Sequence, residues 1–333
     1  MIAGIKFERA SEAEVLAARA LFERAFGGPA SPERWLRKYF GNPAGAVVAF
    51  AARGGEGLVG FVGLHPSAFS AGGEQVTIYQ PGDAVTDPAH QRRGILNELW
   101  ALAGEWLWDH GAPFAISFPS APIYELHKKT GHAFVGRLRR WVKPLAAAGS
   151  PLWRRIPAAA LSGLASALAP TRGFRPAERL TAYDDRIDEV GEKARRRWKF
   201  VGVRGASFLE WRLPLGGGTA AWIVPAGGAA GYVVAERTPR GMWIRDLIAA
   251  EDAPATVGSL LAAVAAHARE GGAEHVTLPY LGTTYRAPLL RAGYLPLAGG
   301  APFVIYEVTR PSPEQVRAAN WLVTDADRDI ACR

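Results

Sequence analysis

One stretch limits the folds open to this chain more than any other: residues 82–104, GDAVTDPAHQRRGILNELWALAG. Asp83, Ala84, Val85 and Thr86 read as a strand, and Asp87-Pro88 ends it, because proline has no N–H to give to a ladder. The turn Gln91-Arg92-Arg93-Gly94 runs straight into an amphipathic helix whose apolar residues include Ile95, Leu96, Leu99, Trp100, Ala103 and Leu107. Unpaired N–H groups at a helix start, with the positive end of the helix dipole behind them, suit an anion. Gly94 lets the backbone approach such a ligand closely, and two arginines add charge. The spacing is neither that of a Walker loop nor that of a dinucleotide-binding turn. A plain basic turn capping a surface helix would use the same residues, so the rest of the chain decides.

Length allows about two domains for 333 residues. With 49% hydrophobic and 21% charged residues, the composition is that of a globular chain. No apolar run reaches the ~18 residues of a membrane span, and the N-terminus lacks the basic-then-apolar plan of a secretory leader. The single cysteine, Cys332, leaves no internal disulfide and no cysteine-based metal cluster. A cytoplasmic location and no metal are therefore expected. The net charge of +8 would draw an anionic ligand, although nucleic acid or lipid headgroups answer to the same charge.

In order, the first half reads as a strand (5–9), a helix opened by the capping box Ser11-Glu-Ala-Glu14, and a second helix (31–40). A hairpin (46–52 and 58–64), a strand (76–86), the long helix and a strand (114–118) follow. A short helix (121–130) stopped by Gly131 and a closing strand (135–142) end the unit. This order, with Gln91, Arg92, Arg93, Gly94 and Ile95 between strand and helix, resembles the GNAT N-acetyltransferases, whose acyl-CoA loop reads Q/R-x-x-G-x-G/A. Leu96 stands where that family usually has Gly or Ala. The family's later motif, N-x-x-A-x-x-x-Y-x-x-x-G-F, is matched in outline. Ser120 takes the Asn position, His127 the Tyr position and His132 the Phe position, while Gly131 is retained.

Residues 181–310 repeat the order, and Gly293-Tyr294 lies where the first half has Gly131-His132. The loop does not recur. Its place is taken by Ala250-Glu251-Asp252-Ala253, a turn without glycine whose two carboxylates would repel phosphate. The expected fold is α/β (α+β): two GNAT-like domains, each a mixed, mostly antiparallel central sheet flanked by helices. Residues 1–145 form the domain with the CoA loop, 146–180 an Ala/Pro-rich interdomain arm, 181–310 a degenerate domain, and 311–333 a C-terminal tail of unassigned role.

The resemblance implies an acetyl-CoA-dependent N-acyltransferase in which a primary amine of a small or sugar-linked acceptor attacks the thioester directly. Backbone N–H of the central strand, that of Val85 first, would meet the thioester carbonyl, with Thr86 beside the cofactor. Gln91, Arg92, Arg93, Gly94, Ile95 and Leu96 would hold the pyrophosphate, with Ser120 beside the cofactor. Tyr124 and His127 are the candidates to return a proton to the thiolate; Asp83 and His65 are the candidates to take one from the ammonium. A Fem-type aminoacyl-tRNA-dependent ligase and a non-catalytic binding module are the competing readings. No nucleic-acid partner is expected; a homodimer is compatible with the sequence.

Overall fold

Ser11 opens α1 (Glu12–Phe26) with the reciprocal cap the sequence carries: its hydroxyl accepts from Glu14 N–H while the Glu14 carboxylate accepts from Ser11 N–H at 2.8 Å. Ser31 caps α2 (Pro32–Phe40) one way only, its hydroxyl accepting from Arg34 N–H at 3.3 Å, with proline in the first turn. The computed structural model describes residues 2–55, 57–128, 130–145, 175–225, 228–251, 253–306 and 311–329. Most of the expected interdomain arm, together with Asp252 and Cys332, lies outside the described residues.

In the first half β1 (Lys6–Arg9), β2 (Val48–Gly54), β3 (Gly57–Ala71) and β4 (Glu74–Thr86) pair antiparallel in chain order. Alternation along these strands sorts side chains to two faces. Val62, Leu64, Phe50 and Ala52 pack under α3 (Ile95–Asp109), through its Ile95, Leu99, Ala103 and Leu107. Phe61, Ala49 and Val85 pack under α1 and α2. β5 (Ala115–Ser117) joins β4 in parallel through one pair, Tyr79↔Ala115, after which the two strands part. α4 (Ala121–His127) and β6 (Ala133–Pro144) follow.

The second half contributes β7 (Glu178–Leu180), α5 (Asp185–Arg197), β8 (Phe200–Gly202), α6 (Ala206–Arg212), β9 (Thr219–Pro225), β10 (Ala229–Arg237) and β11 (Gly241–Ala249). It continues with α7 (Ala253–Glu270), β12 (His275–Leu281), α8 (Arg286–Arg291), β13 (Leu295–Pro296), β14 (Ala301–Tyr306) and, in the tail, β15 (Trp321–Thr324). β9, β10 and β11 run antiparallel, and β12 pairs in parallel with β11 over Gly241–Trp243.

The halves exchange strands. β14 of the second half lies between β5 and β6, pairing Ile305 with Ile116 and Ala301 with Leu138. β6 continues past it into the other sheet, where residues 139–144 pair with β12 and Trp141–Val142 with β13. The expected boundaries at 145 and 310 therefore do not separate two closed sheets. All the strands belong to one 15-stranded sheet. Periodicity in β6 and β14 shows that they are strands but not which sheet receives them.

The tail, left without a role by the sequence, supplies a strand. β15 runs parallel to β8 and antiparallel to β12, filling the space beyond Trp243 where β11 and β12 separate. Thr324 Oγ1 donates to Asp246 Oδ1 at 2.7 Å, and Arg204 binds Asp246 (2.9 Å) and Asp327 (2.8 Å) out of solvent. Two close carboxylates raise the affinity of Arg204 for its proton against the opposing effect of burial. Trp321 is the hub where the halves meet, with Phe69, Phe200 and Phe303 at 5.6, 4.6 and 5.0 Å between ring centroids.

Candidate active site

A bulge in β4 places the first candidate. The register slips between Phe61↔Val85 and Gly63↔Gly82, leaving Asp83 and Ala84 opposite Val62, with Asp83 at φ 50. Left-handed backbone is strained for most side chains but tolerated by aspartate. Beyond the bulge the ladder is regular, and Asp87 N–H donates to Val59 O at 2.8 Å. N–H groups two residues apart point to the same neighbour, so Val85 also faces β3, and Thr86 presents its N–H to the opening toward β5. The expected donor, Val85, thus points the wrong way, and it is the neighbouring Thr86 whose N–H is turned away from β3.

The loop after β4 has a shape suited to an anion. Asp87 pins it, accepting from Ala89 N–H at 3.0 Å and pairing with Arg24 at 3.2 Å. Arg92 (φ 60) and Gly94 (φ 83) are both left-handed, and alternating hand turns successive N–H groups into one concavity. No side chain caps α3 at Gly94. Gln91, Arg92, Arg93 and Gly94 are exposed, Leu96 is half-buried, and Ile95 is buried beneath the turn. Arg93 is 2.9 Å from His90 Nδ1.

Between α3, α4 and the parted strands lies a cleft of about 420 Å³. Trp100 and Gly104 of α3, Pro81 of β4, His127 of α4, His132 and Tyr306 line it. His127 is 2% exposed and stacks on His132 at 3.8 Å and 2°. Trp100 meets His127 edge-on at 5.9 Å. Both ring nitrogens of His127 are buried without a hydrogen-bond partner among the described residues. Burial, with the neighbouring His132 second, lowers His127 to about 4. The imidazole is neutral at pH 7, able to donate one N–H but not to act as an imidazolium.

Tyr124 and Ser120 sit elsewhere. The Tyr124 ring packs edge-on against Phe134 at 6.0 Å with Lys128 above it, and Tyr124 does not line the cleft. Ser120 is exposed just before α4, its carbonyl accepting from Tyr124 N–H at 2.8 Å. Helical spacing put Tyr124 on the same face as His127; the packing of β6 against α4 draws its ring away.

Across β4 from the cleft a charged cluster collects around the bulge. Lys38 Nζ, 1% exposed, lies 2.6 Å from Asp83 Oδ2 and 2.5 Å from Asp329 Oδ2. Tyr39 donates its hydroxyl proton to Asp83 at 2.7 Å. His65 Nε2 lies 3.7 Å from the same carboxylate with no hydrogen-bond partner among the described residues. Burial pushes the His65 pKa below 6.5; Asp329 and Asp83 oppose the shift and Lys38 reinforces it. Gly82 makes room, since a Cβ there would stand 2.6 Å from Asp329 Oδ2 and 3.1 Å from the His65 ring. His65, Asp83 and Asp329 could jointly hold a cation; the Lys38 ammonium already bridges the two carboxylates.

Asp83 and His65 are thus brought together as sequence reasoning expected, while Lys38, Tyr39 and Asp329 were missed. Asp329 arrives from the tail, nearly three hundred residues from Lys38, without a local signal to place it. Among the described residues of the second half, the place corresponding to the cleft is filled. There the tyrosine of the short helix, Tyr285, is fully buried and accepts from Ala249 N–H at 2.8 Å, and β15 fills the gap between strands. Its turn carries Glu251 paired to Lys193 at 3.0 Å.

The site thus combines a bulged strand, parted from its parallel neighbour, with a helix start that no side chain caps. Residues 6–127 match the family model described as the acetyltransferase (GNAT) domain. Over these residues the chain is similar to the GNAT acetyltransferases. Solved structures share the fold over nearly the whole chain. A probable N-acyltransferase from Enterococcus faecalis has 13% identity and a TM-score of 0.68, covering 95% of this chain and 74% of its own. A GCN5-related N-acetyltransferase from Anabaena variabilis has 14% identity and a TM-score of 0.68, over 92% and 73%. Eis1 from Mycobacterium abscessus has 18% identity and a TM-score of 0.61, over 94% and 76%. No curated protein matches the sequence. Among the described residues, no helix is long and apolar enough to cross a membrane.

Proposed function

We propose that this protein is an acetyl-CoA-dependent N-acyltransferase that acylates a primary amine by direct attack. The single observation that carries the reading is the β4 bulge with the cleft on one side and the His65–Asp83–Asp329 cluster on the other. The thioester would lie in the gap past Tyr79↔Ala115, its carbonyl against Thr86 N–H, and the pyrophosphate against the Arg92–Leu96 turn. The amine would enter from the cluster side. Neutral His65 takes a proton from the ammonium, and the free amine attacks the carbonyl carbon. As the C–S bond breaks, the attacking nitrogen gives up its second proton, which ends on the sulfur, while the neutral His127 steadies the departing thiolate with an N–H hydrogen bond.

The second half contributes no cofactor site in this reading. It closes the acceptor side through α6 and the tail. Titrating acetyl-CoA into the purified protein by calorimetry, then screening primary amines for acyl transfer, tests both statements. One acetyl-CoA per chain and an acylated amine are expected. Two equivalent sites per chain, or binding without transfer to any amine, would overturn the assignment.

A further inference from the structure

A second cavity opens on the acceptor side, between α2 and the second half, with a volume of about 390 Å³. Its size is that of a small-molecule pocket. Trp211 of α6 bridges the two halves at its wall, donating its indole N–H to Arg37 O at 2.9 Å. Arg212 and Asp329 line both this cavity and the narrow space at His65 and Lys38. The cavity therefore shares a wall with the space in which the reacting amine is proposed to lie.

The carboxylates along its wall are mostly committed. Glu236 and Asp325 both bind Arg245, Asp325 also binds Arg328, and Asp329 binds Lys38; Glu33 is exposed. Two arginines are left without a carboxylate among the described residues. Arg212 binds only backbone carbonyls, those of Arg328 at 2.6 Å, Ala326 at 3.2 Å and Asp329 at 3.3 Å, with Asp325 at the limit of 3.5 Å. Arg37 forms no ion pair, and its Nε is buried without a hydrogen-bond partner. Carbonyl dipoles satisfy N–H groups but do not cancel a charge held partly out of water. Burial lowers Arg212 to about 10, with Asp325 and Asp329 opposing the shift and Arg245 and Arg204 reinforcing it.

We propose that this cavity seats an anionic group of the acceptor, a carboxylate or a phosphate carried by the same molecule as the amine, with Arg37 and Arg212 as its counter-ions. The inference rests on the acyl-transfer reading for the amine end and on the cavity alone for the anion. Arginine's planar donor fork suits either oxyanion. The acceptor then lies across the domain junction, anion toward α2 and α6, amine toward Asp83 and His65.

Two measurements test it. First, acetate and inorganic phosphate are titrated into wild type, Arg37→Gln and Arg37→Glu with saturating CoA present, so that the cofactor loop is filled, and backbone amide shifts are followed by NMR. At least one anion should shift amides of α2 and α6, with affinity falling about tenfold in Arg37→Gln and further in Arg37→Glu, about 1.4 kcal/mol for the first step. Anions that leave those amides unmoved, or bind all three proteins alike, overturn the inference. Second, acyl transfer is compared within matched pairs: 4-aminobutyrate against 4-aminobutanamide, and phosphoethanolamine against ethanolamine. A kcat/KM preference of tenfold or more for the charged member of one pair, abolished by Arg37→Gln, supports the site and says which oxyanion it takes. Preference for the neutral members overturns it. Arg37-dependent anion binding without transfer to any amine would instead sink the acyltransferase reading and leave the anion site standing.

Discussion

Lys38→Met removes the ammonium that bridges Asp83 and Asp329 while keeping the length and most of the volume of the side chain. Its ammonium bridges Asp83 and Asp329 at 2.6 and 2.5 Å and, with His65 Nε2 at 3.7 Å from Asp83, cannot be more than about 6 Å from that imidazole. At that separation and an effective dielectric of ~20, a unit charge is worth about 3 kcal/mol, or about two pKa units at the ring. Lys38 lowers the His65 pKa while Asp83 and Asp329 raise it, so the substitution should move its titration upward by one to two units. The sign for stability follows from the same shift. In the wild type the neutral form of His65 is favoured, so the stability it contributes is present above about 6.5 and lost as the pH falls below that value toward the folded pKa. In Lys38→Met that acid-side loss should shrink. Leaving two carboxylates without their cation should meanwhile cost about 3–5 kcal/mol near neutrality. NMR titration of the His65 ring protons, alongside urea unfolding at several pH values, reads both effects without assuming any activity. A His65 midpoint that stays put or falls would refute the account of the cluster.

Three further outcomes are expected. Gly94→Asp keeps a residue that tolerates left-handed backbone but puts a negative charge where phosphate should lie; acetyl-CoA affinity should drop by more than ~1.4 kcal/mol, a factor of ten, in calorimetry, and unchanged affinity would remove the turn from the cofactor site. His127→Phe should lower kcat by ~10²–10⁴-fold with little change in acetyl-CoA affinity, whereas Tyr124→Phe, outside the cleft, should change kcat little; equal losses would contradict the assignment. Deleting residues 325–333 takes Asp327 from Arg204 and should destabilise the fold by about 3–5 kcal/mol in urea unfolding, and wild-type stability would show that the tail is not an anchor.

The parts of this molecule that could be read from sequence are those encoded within a few turns or strands. Ser11 and Glu14 cap α1 because they are three residues apart, and Gly94 stands at the start of α3 because φ there is positive. Asp83 and His65 were placed near the acceptor because adjacent strands bring them together. What could not be read was long-range partnership. Nothing local says that Tyr306 will face His132 in the cleft at 4.8 Å, or that Asp329 will reach Lys38. The tail carries an apolar strand, Trp321–Thr324, that fits several sheet edges by pattern; only the space left where β11 and β12 part selects its site.

The exchange of β6 and β14 also has a consequence for how the chain is made. Synthesis runs from the N-terminus, and β5 is finished long before residue 301 leaves the ribosome. Until then β5 and β6 flank an empty strand position, with backbone donors and acceptors that only β14 satisfies. The first half can gather its helices early but cannot close its sheet, and the second half waits on β6 from the first. The nascent chain therefore carries an open edge through most of its translation, the condition in which chaperone capture and mispairing between neighbouring chains compete with folding. Closure depends on pairing across most of the sequence, so it should be slow, and it should lock both halves at once.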